Sequence, residues 1–401
     1  MHNESLELRR LFAATLTDGL LSIMGTSDED TVYIAMENAK VSVYQWLGNH
    51  GINEDEPKPE QLIGTFSGVR SIRVEVGDGS DNVFIDSSIT APARIYMGDG
   101  DDVVFDGSGN DVVYAGAGGD QLFPGGGANA LFAGEGNDRF NLVEVASSNY
   151  IEGQGGVDSI SFHSTPAINL KLSISKPIPG APPIYAATAT SALTSTTMRS
   201  IERYSGSKND DVMQLTVREG TLGGWSYNDP ITGYLDGSIG NDVIKANVDA
   251  VGIGQFYLNG SNGNDRIDGR ASSQANPVLY GSIGDDVLIG GSGDDTLSGM
   301  DGQDALFGNA GRDYLDGGDE NDYIEGSSGS DNIFGGNGDN TLVGGTGNDR
   351  IYGGNGNDVI YARDKHRDWI YGGEGRDRAA YDNLIDYGYT ELFVDSIEVN
   401  L

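Results

Sequence analysis

The chain has 401 residues, enough for two or three domains, and carries 24 Lys+Arg against 61 Asp+Glu, a formal net charge of −37. That balance excludes nucleic acid and anionic membrane surfaces as natural partners and makes divalent cations the natural counter-charge. There are no cysteines to form disulfides, and no apolar run is long enough for a transmembrane helix. The 62 glycines recur at a fixed period, which separates this composition from low-complexity disorder.

Residues 1–75 are the least repetitive part and predict an N-terminal β segment or cap. Alternation at 31–34, 40–46 and 71–76 reads as strands, and 53–59 as an acidic, proline-bearing loop. The first fourteen residues lack the apolar core of a signal peptide, so export is expected by another route or with a leader outside this sequence. The segment 25–32, GTSDEDTV, reads as a degenerate first repeat. The segment 4–13, ESLELRRLFA, resembles a short N-terminal segment of some large bacterial surface proteins.

Clear repeats begin in the next segment, 76–161, the first roll block. Residues 97–141 are five contiguous nonapeptides, with Asp102, Asp111, Asp120, Asn129 and Asp138 at position six. Residues 162–204 break the period with a strand pattern at 170–174, a proline-rich loop at 177–183 and an Ala/Thr-rich stretch at 186–197, and read as an insertion or linker. Residues 205–280 read as a degenerate roll of looser register. The second block, 281–380, opens with nine uninterrupted nonapeptides, 281–361. Position six there holds Asp286, Asp295, Asp304, Asp313, Asp322, Asp331, Asn340, Asp349 and Asp358, and position eight is always Leu or Ile. A weaker copy at 372–380 carries Asp377. Isolated copies surround Asp30, Asp81, Asp158, Asp211, Asp242 and Asp265, with insertions near twelve residues, such as 85–96 and 269–280, between some of them. The end, 381–401, loses its glycines, gains aromatics and predicts a C-terminal cap, with a secretion signal as the other reading.

The pattern G-G-x-G-x-D-x-U-x in these blocks resembles the RTX, or haemolysin-type, calcium-binding repeat. The resemblance implies an all-β fold: a right-handed parallel β-roll or β-helix solenoid, two nonapeptides per coil, with Ca²⁺ between successive coils. The residue chemistry points the same way. Glycines at positions one, two and four are expected to reach positive φ in a tight turn over the first six residues. Residues seven to nine form a short strand with position eight inward. Ca²⁺ takes six to eight oxygens, which carbonyls and one carboxylate from each of two stacked loops can supply. The expected metal ligands are therefore Asp102, Asp111, Asp120, Asp138, Asp286, Asp295, Asp304, Asp313, Asp322, Asp331, Asp349 and Asp358. Each pairs with the loop eighteen residues away: Asp286 with Asp304, Asp304 with Asp322, Asp295 with Asp313, Asp313 with Asp331, and Asp331 with Asp349. In the first block the pairs are Asp102 with Asp120, Asp120 with Asp138, and Asp111 with Asn129.

Asn129 and Asn340 keep an oxygen but lose a charge, which predicts weaker sites. Glu320, at a glycine position, should strain its turn or bring in a different ligand. Arg363, Lys365, His366 and Arg367 predict an end to the ladder near Asp358. The paired carboxylates form a periodic array, which disfavours a glycosidase. The four histidines, His2, His50, His163 and His366, lack transition-metal spacing, and no nucleophile elbow or phosphate loop is present. Trp46, Trp225 and Trp369 read as core or cap sooner than as sugar platforms.

The expected function is that of a non-enzymatic, exported calcium-binding repeat protein, secreted or at the cell surface. It folds on multiple Ca²⁺ ions and serves a structural, surface-layer, matrix or adhesive role. The other reading is a calcium-dependent accessory module of a secreted lipase, protease or polysaccharide epimerase. Calcium ions are the expected partners, with self-assembly or a cell-surface glycan or protein beyond them.

Overall fold

The protein is described by a computed structural model covering residues 13–45, 61–142, 149–162, 169–175, 184–190, 195–199, 203–205, 212–218, 233–249, 256–270, 276–381 and 398–399. Every regular element among the described residues is a β-strand, and the architecture is a parallel β-solenoid. The chain divides into two compact units, Met1–Ser164 with Thr190–Ile201, and Thr165–Ala189 with Glu202–Leu401.

In the second unit successive strands alternate between two sheets. One sheet runs through Arg266–Asp268, Val287–Ile289, Ala305–Gly311, Tyr323–Gly329, Thr341–Thr346, Val359–Ala362 and Arg378–Tyr381, each parallel to the next. The other runs through Phe256–Asn262, Val278–Ile283, Thr296–Asp301, Tyr314–Asp319, Asn332–Asn337, Arg350–Asn355 and Trp369–Glu374. Leu297 pairs with Leu315, and Leu306 with Ile324, so one coil is eighteen residues and two nonapeptides. The first unit repeats the plan, with Val112–Ala117 between Ala93–Asp99 and Ala130–Glu135 in one sheet, and Gln121–Phe123 between Val103–Phe105 and Arg139–Leu142 in the other.

The core follows from the period. Position eight is 0% exposed in all nine repeats of the second block, from Leu288 to Ile360. Strand alternation then sends positions seven and nine outward. There, side chains one coil apart stack: Tyr96 on Tyr114 at 5.1 Å, Tyr114 on Phe132 at 5.0 Å, and Phe105 on Phe123 at 4.3 Å between ring centroids. Arg350 lies over the Trp369 ring at 4.8 Å, so that face of the indole is taken by a neighbouring coil. Trp46 and Trp225 lie outside the described residues.

Most second-block strands are longer than the expected three residues. Thr296–Asp301 covers positions seven to nine and continues through position three of the next repeat, leaving a turn of about three residues. The expected positive φ at position one is also corrected. Gly281, Gly290, Gly299 and Gly308 have ordinary φ, whereas positions two and four carry the left-handed conformation in every repeat of the block except 290–298. At position two it is adopted even by Ser282 (φ 84°), Met300 (78°) and Asn309 (73°). Glu320 adopts it at position four (φ 76°), the strained backbone its place in the repeat implies, and its side chain is exposed.

The N-terminal strands include antiparallel hairpins. Ala13–Thr17 pairs with Leu20–Met24 across Asp18–Gly19, both at positive φ, and Thr31–Glu37 pairs with Lys40–Gln45 across Asn38–Ala39. Two-residue turns of this kind match strand twist. Leu20–Met24 and Thr31–Glu37 then pair in parallel with Ser71–Glu75 and Asn82–Ile85, joining the hairpins to the coils. The strand pattern expected at 170–174 appears as Asn169–Ser175, and part of the Ala/Thr-rich stretch lies in a further strand, Ile184–Thr190. Near the C-terminus Glu398–Val399 pairs with Arg378 and Ala379. The loops at 53–59 and 177–183 lie outside the described residues.

Candidate calcium ladder

Position six begins where the turn re-enters the strand, and the turn folds its side chain inward. Asp286, Asp295, Asp304, Asp313, Asp322, Asp331, Asp349 and Asp358 are all 3% exposed or less, as are Asp102, Asp111, Asp120 and Asp138. All of these carboxylates but that of Asp295 cross to the preceding coil; Asp295 instead accepts from Gly291 N of its own turn. The backbone N–H of Asp286 donates to Asp304 Oδ1, that of Asp295 to Asp313 Oδ1, Asp304 to Asp322 and Asp313 to Asp331, all at 2.8 Å. Asp331 donates to Asp349 Oδ1 at 2.9 Å. In the first unit Asp102 donates to Asp120 at 2.9 Å, Asp120 to Asp138 at 2.8 Å and Asp111 to Asn129 Oδ1 at 2.9 Å. Every pair expected from the eighteen-residue spacing is thus brought together by a side-chain-to-backbone bond.

The second carboxylate oxygen is left over. Oδ2 of Asp102, Asp111, Asp120, Asp138, Asp286, Asp304, Asp313, Asp322, Asp331, Asp349 and Asp358 is buried without a hydrogen-bond partner, and in Asp295 the orphan is Oδ1. A buried unpaired carboxylate oxygen is costly unless a proton or a cation meets it. Neighbouring strands sit about 4.8 Å apart, so adjacent carboxylates in a column repel by roughly 3–4 kcal/mol at an effective dielectric of 20. Burial, with neighbouring acids adding to it, pushes Asp102, Asp286 and Asp295 up to about 8. Burial likewise takes Asp322 and Asp331 to about 7, and Asp304, Asp313 and Asp358 to about 6.

The glycine at position one explains how other oxygens reach the same spot. A Cβ on Gly326 would lie 2.5 Å from Asp331 Oδ2 and 2.6 Å from the Gly344 carbonyl oxygen of the next coil. A hydrogen in place of a side chain lets that carboxylate oxygen and that carbonyl oxygen come together. Among the described residues no three acidic or histidine side chains converge on one point. A cation here must therefore draw most of its ligands from backbone carbonyls, with a carboxylate from each flanking coil. A hard, oxygen-seeking ion with loose geometry fits this donor set, which is the chemistry of Ca²⁺.

The ladder is longer than the uninterrupted repeats suggest. Asp30 donates to Asp81 Oδ1 at 2.6 Å, Asp81 to Asp102 at 2.7 Å, and Asp138 to Asp158 at 2.9 Å. Asp242 donates to Asp265, and Asp265 to Asp286, both at 2.7 Å. The isolated copies at Asp30, Asp81, Asp158, Asp242 and Asp265 therefore join the same column as the regular ones. Asp211 lies outside the described residues. The hydrogen-bonded column runs past Asp358, where the end of the metal ladder is expected: the backbone N–H of Asp349 donates to Asp368 Oδ1 at 2.9 Å and that of Asp358 to Asp377 Oδ1 at 3.0 Å. The extra residue among 363–367 is absorbed locally, with Lys365 at φ 76° and Asp364 Oδ2 accepting from Gly347 N at 2.7 Å. His366 hydrogen-bonds Asp364, and the other three histidines lie outside the described residues.

Position five forms a second ladder that motif reading missed. Here the amide of the later coil donates to the side chain of the earlier one: Gln303 N to Asp285 Oδ1 at 3.0 Å, Arg312 N to Asp294 at 2.9 Å, Asp339 N to Asn321 and Asn357 N to Asp339 at 2.7 Å. The available signal was the frequency of Asp and Asn at that position. Two side-chain ladders of opposite direction thus clamp each turn to both neighbours. One further acid departs from the pattern. Asp106, 2% exposed, stands at a position-one site, and burial holds its carboxyl well above the ordinary range, the nearby Asp111 charge adding to the effect.

The family model for the RTX calcium-binding nonapeptide repeat matches residues 96–131, 125–142, 257–273, 280–315, 298–333, 307–342, 334–364 and 366–380. The matched segments contain all twelve of the expected position-six ligands. A search of curated proteins returned no match.

Proposed function

We propose, from the RTX calcium-binding repeats that this chain carries, that it is an exported protein whose roll folds on multiple Ca²⁺ ions and serves a structural, surface-layer, matrix or adhesive role. The observation that carries the reading is the row of buried, partnerless carboxylate oxygens at successive coils. The residues that would hold the ions are Asp102, Asp111, Asp120 and Asp138 in the first unit. In the second they are Asp286, Asp295, Asp304, Asp313, Asp322, Asp331, Asp349 and Asp358, with turn carbonyls completing each shell. When bound, Ca²⁺ supplies the positive charge that lets neighbouring coils approach; the chain's own residues orient the oxygens and exclude water. Core burial of one aliphatic side chain per repeat does not by itself offset about 1–2 kcal/mol of backbone entropy per residue, so ion binding and folding are one event. Millimolar extracellular calcium would keep such an array filled, which supports a site of action outside the cell. RTX repeats are typical of secreted proteins, and a repeat solenoid of this kind supports a non-catalytic role.

Circular dichroism and light scattering during a calcium titration after EDTA treatment test this. The expected result is β-sheet ellipticity that appears with calcium and disappears with chelation, with multimers forming as the ions bind. Spectra indifferent to both reagents would refute calcium-coupled folding, and a calcium-folded chain that stays monomeric would refute self-assembly.

A further inference from the structure

Among the described residues Asp106 is the buried acid that lies off the position-six column. Position one holds glycine in all nine repeats of 281–361, where a Cβ would press on the position-six side chain of the same turn: 2.5 Å for Gly308 against Asp313 Oδ2, 2.6 Å for Gly344 against Asp349 Oδ2. In the first block the position points into the interior and holds Met97, Ala115 and Ala133, each 0% exposed. Asp106 therefore directs a carboxylate to the interior, on the side where Asp111 of its own turn places another.

The hydrogen bonds define which gap it serves. Asp106 Oδ1 accepts from Gly125 N at 2.6 Å, reaching forward to the turn 124–129. Asn129 Oδ1 accepts from Asp111 N at 2.9 Å, reaching back across the same gap. In a regular rung the backward-reaching group is an aspartate and brings the gap its charge. Here it is an asparagine and brings none. Asp106 Oδ2 is buried and has no hydrogen-bond partner, on a side chain only 2% exposed. The comparable substitution in the second unit, Asn340, faces a turn with Gly317 at position one, where no side chain can supply a second acid.

We propose that Asp106 is an additional calcium ligand that replaces the carboxylate missing at Asn129, making the gap between turns 106–111 and 124–129 a full-charge site with a rearranged ligand set. The proposal rests on the calcium reading above. On this reading the Asn129 gap is not a weak site, contrary to what Asn129 alone implies, and Asn340 is left as the weak rung.

The test is equilibrium dialysis and calorimetric titration of the full chain with Ca²⁺, for wild type, Asp106→Ala, and Asp106→Ala with Asn129→Asp. Alanine already stands at position one in Ala115 and Ala133, so the first variant fits the fold; circular dichroism in saturating calcium checks this. The single variant should bind one ion fewer per chain, or bind that ion at least tenfold more weakly. The double variant should recover it by restoring the aspartate of the regular rung. An unchanged stoichiometry and affinity in Asp106→Ala would overturn the proposal, as would loss that Asn129→Asp does not rescue. A wild-type chain that binds no calcium would instead overturn the broader reading.

Discussion

Asp313 lies in mid-column, and two substitutions there separate the roles of its two oxygens. Its Oδ1 accepts from Asp295 N at 2.8 Å, while its Oδ2 is buried without a partner. Asp313→Asn keeps the acceptor, as Asn340 does when it accepts from Asp322 N at 2.9 Å, and removes the charge. Asp313→Ala removes both and strands the buried Asp295 amide. Leaving such a donor unmet costs about 1–3 kcal/mol, which corresponds to about 5- to 150-fold in an equilibrium constant. Both variants should raise the calcium concentration at the folding midpoint, because each removes a charged oxygen. At saturating calcium the alanine variant should unfold at lower urea than the asparagine variant, by the cost of that amide. Ellipticity followed against calcium and then against urea reads both quantities. Equal midpoints for the two variants would show that the Oδ1 bond contributes nothing and would refute the ladder as an element of stability.

The pH dependence should reverse with calcium. The folded carboxyls of Asp313 and Asp286 sit at about 6 and about 8, above the ordinary 3.8, so the metal-free roll binds more protons than the unfolded chain. That contribution is fully present below about 3.8 and is lost as pH rises through 6 to 8. In EDTA, ellipticity should therefore grow on acidification, while in limiting calcium it should fall as protons displace the ion; a metal-free roll most stable at about pH 8 would contradict the raised values. Two glycines should differ in kind. Gly347→Ala places a Cβ on a residue at φ 141° and into the Gly329 carbonyl, and should lower the urea midpoint strongly even in excess calcium. Gly344→Ala meets the Asp349 carboxylate at 2.6 Å and should act chiefly on calcium affinity, which parallel calcium and urea titrations would distinguish. Leu315→Ala, at a fully buried position eight, should cost about 2–5 kcal/mol in a urea melt with calcium saturating.

Much of this molecule is written at the level of the nonapeptide. Position eight carries one aliphatic side chain per repeat, and a two-residue strand period leaves it only the interior, so Leu288 through Ile360 were legible as core. Position six was legible because a turn alone has no reason to prefer Asp so consistently over Asn or Ser. The eighteen-residue partner followed from two repeats per coil. Where the period is broken, the sequence was a poorer guide. Asp30 and Asp81 are 51 residues apart yet hydrogen-bonded, and Asp368 enters the column through a nineteen-residue step that repeat counting places out of register.

The coil, its inward apolar row and its acidic column are properties of the chain read along its length, since these repeat every nine residues and each copy needs only its own local turn. Tertiary structure decided what depends on the neighbouring coil. It showed that position one is glycine for close approach to a carboxylate and not for backbone conformation, because the folded turn and the coil stacked on it crowd oxygens into the space a Cβ would take. It showed that one oxygen of each regular aspartate is spent on an amide and the other is left over. It also placed Asp106 opposite Asn129, two residues whose departures from the repeat look unrelated along the chain and become complementary once eighteen residues equal one strand spacing.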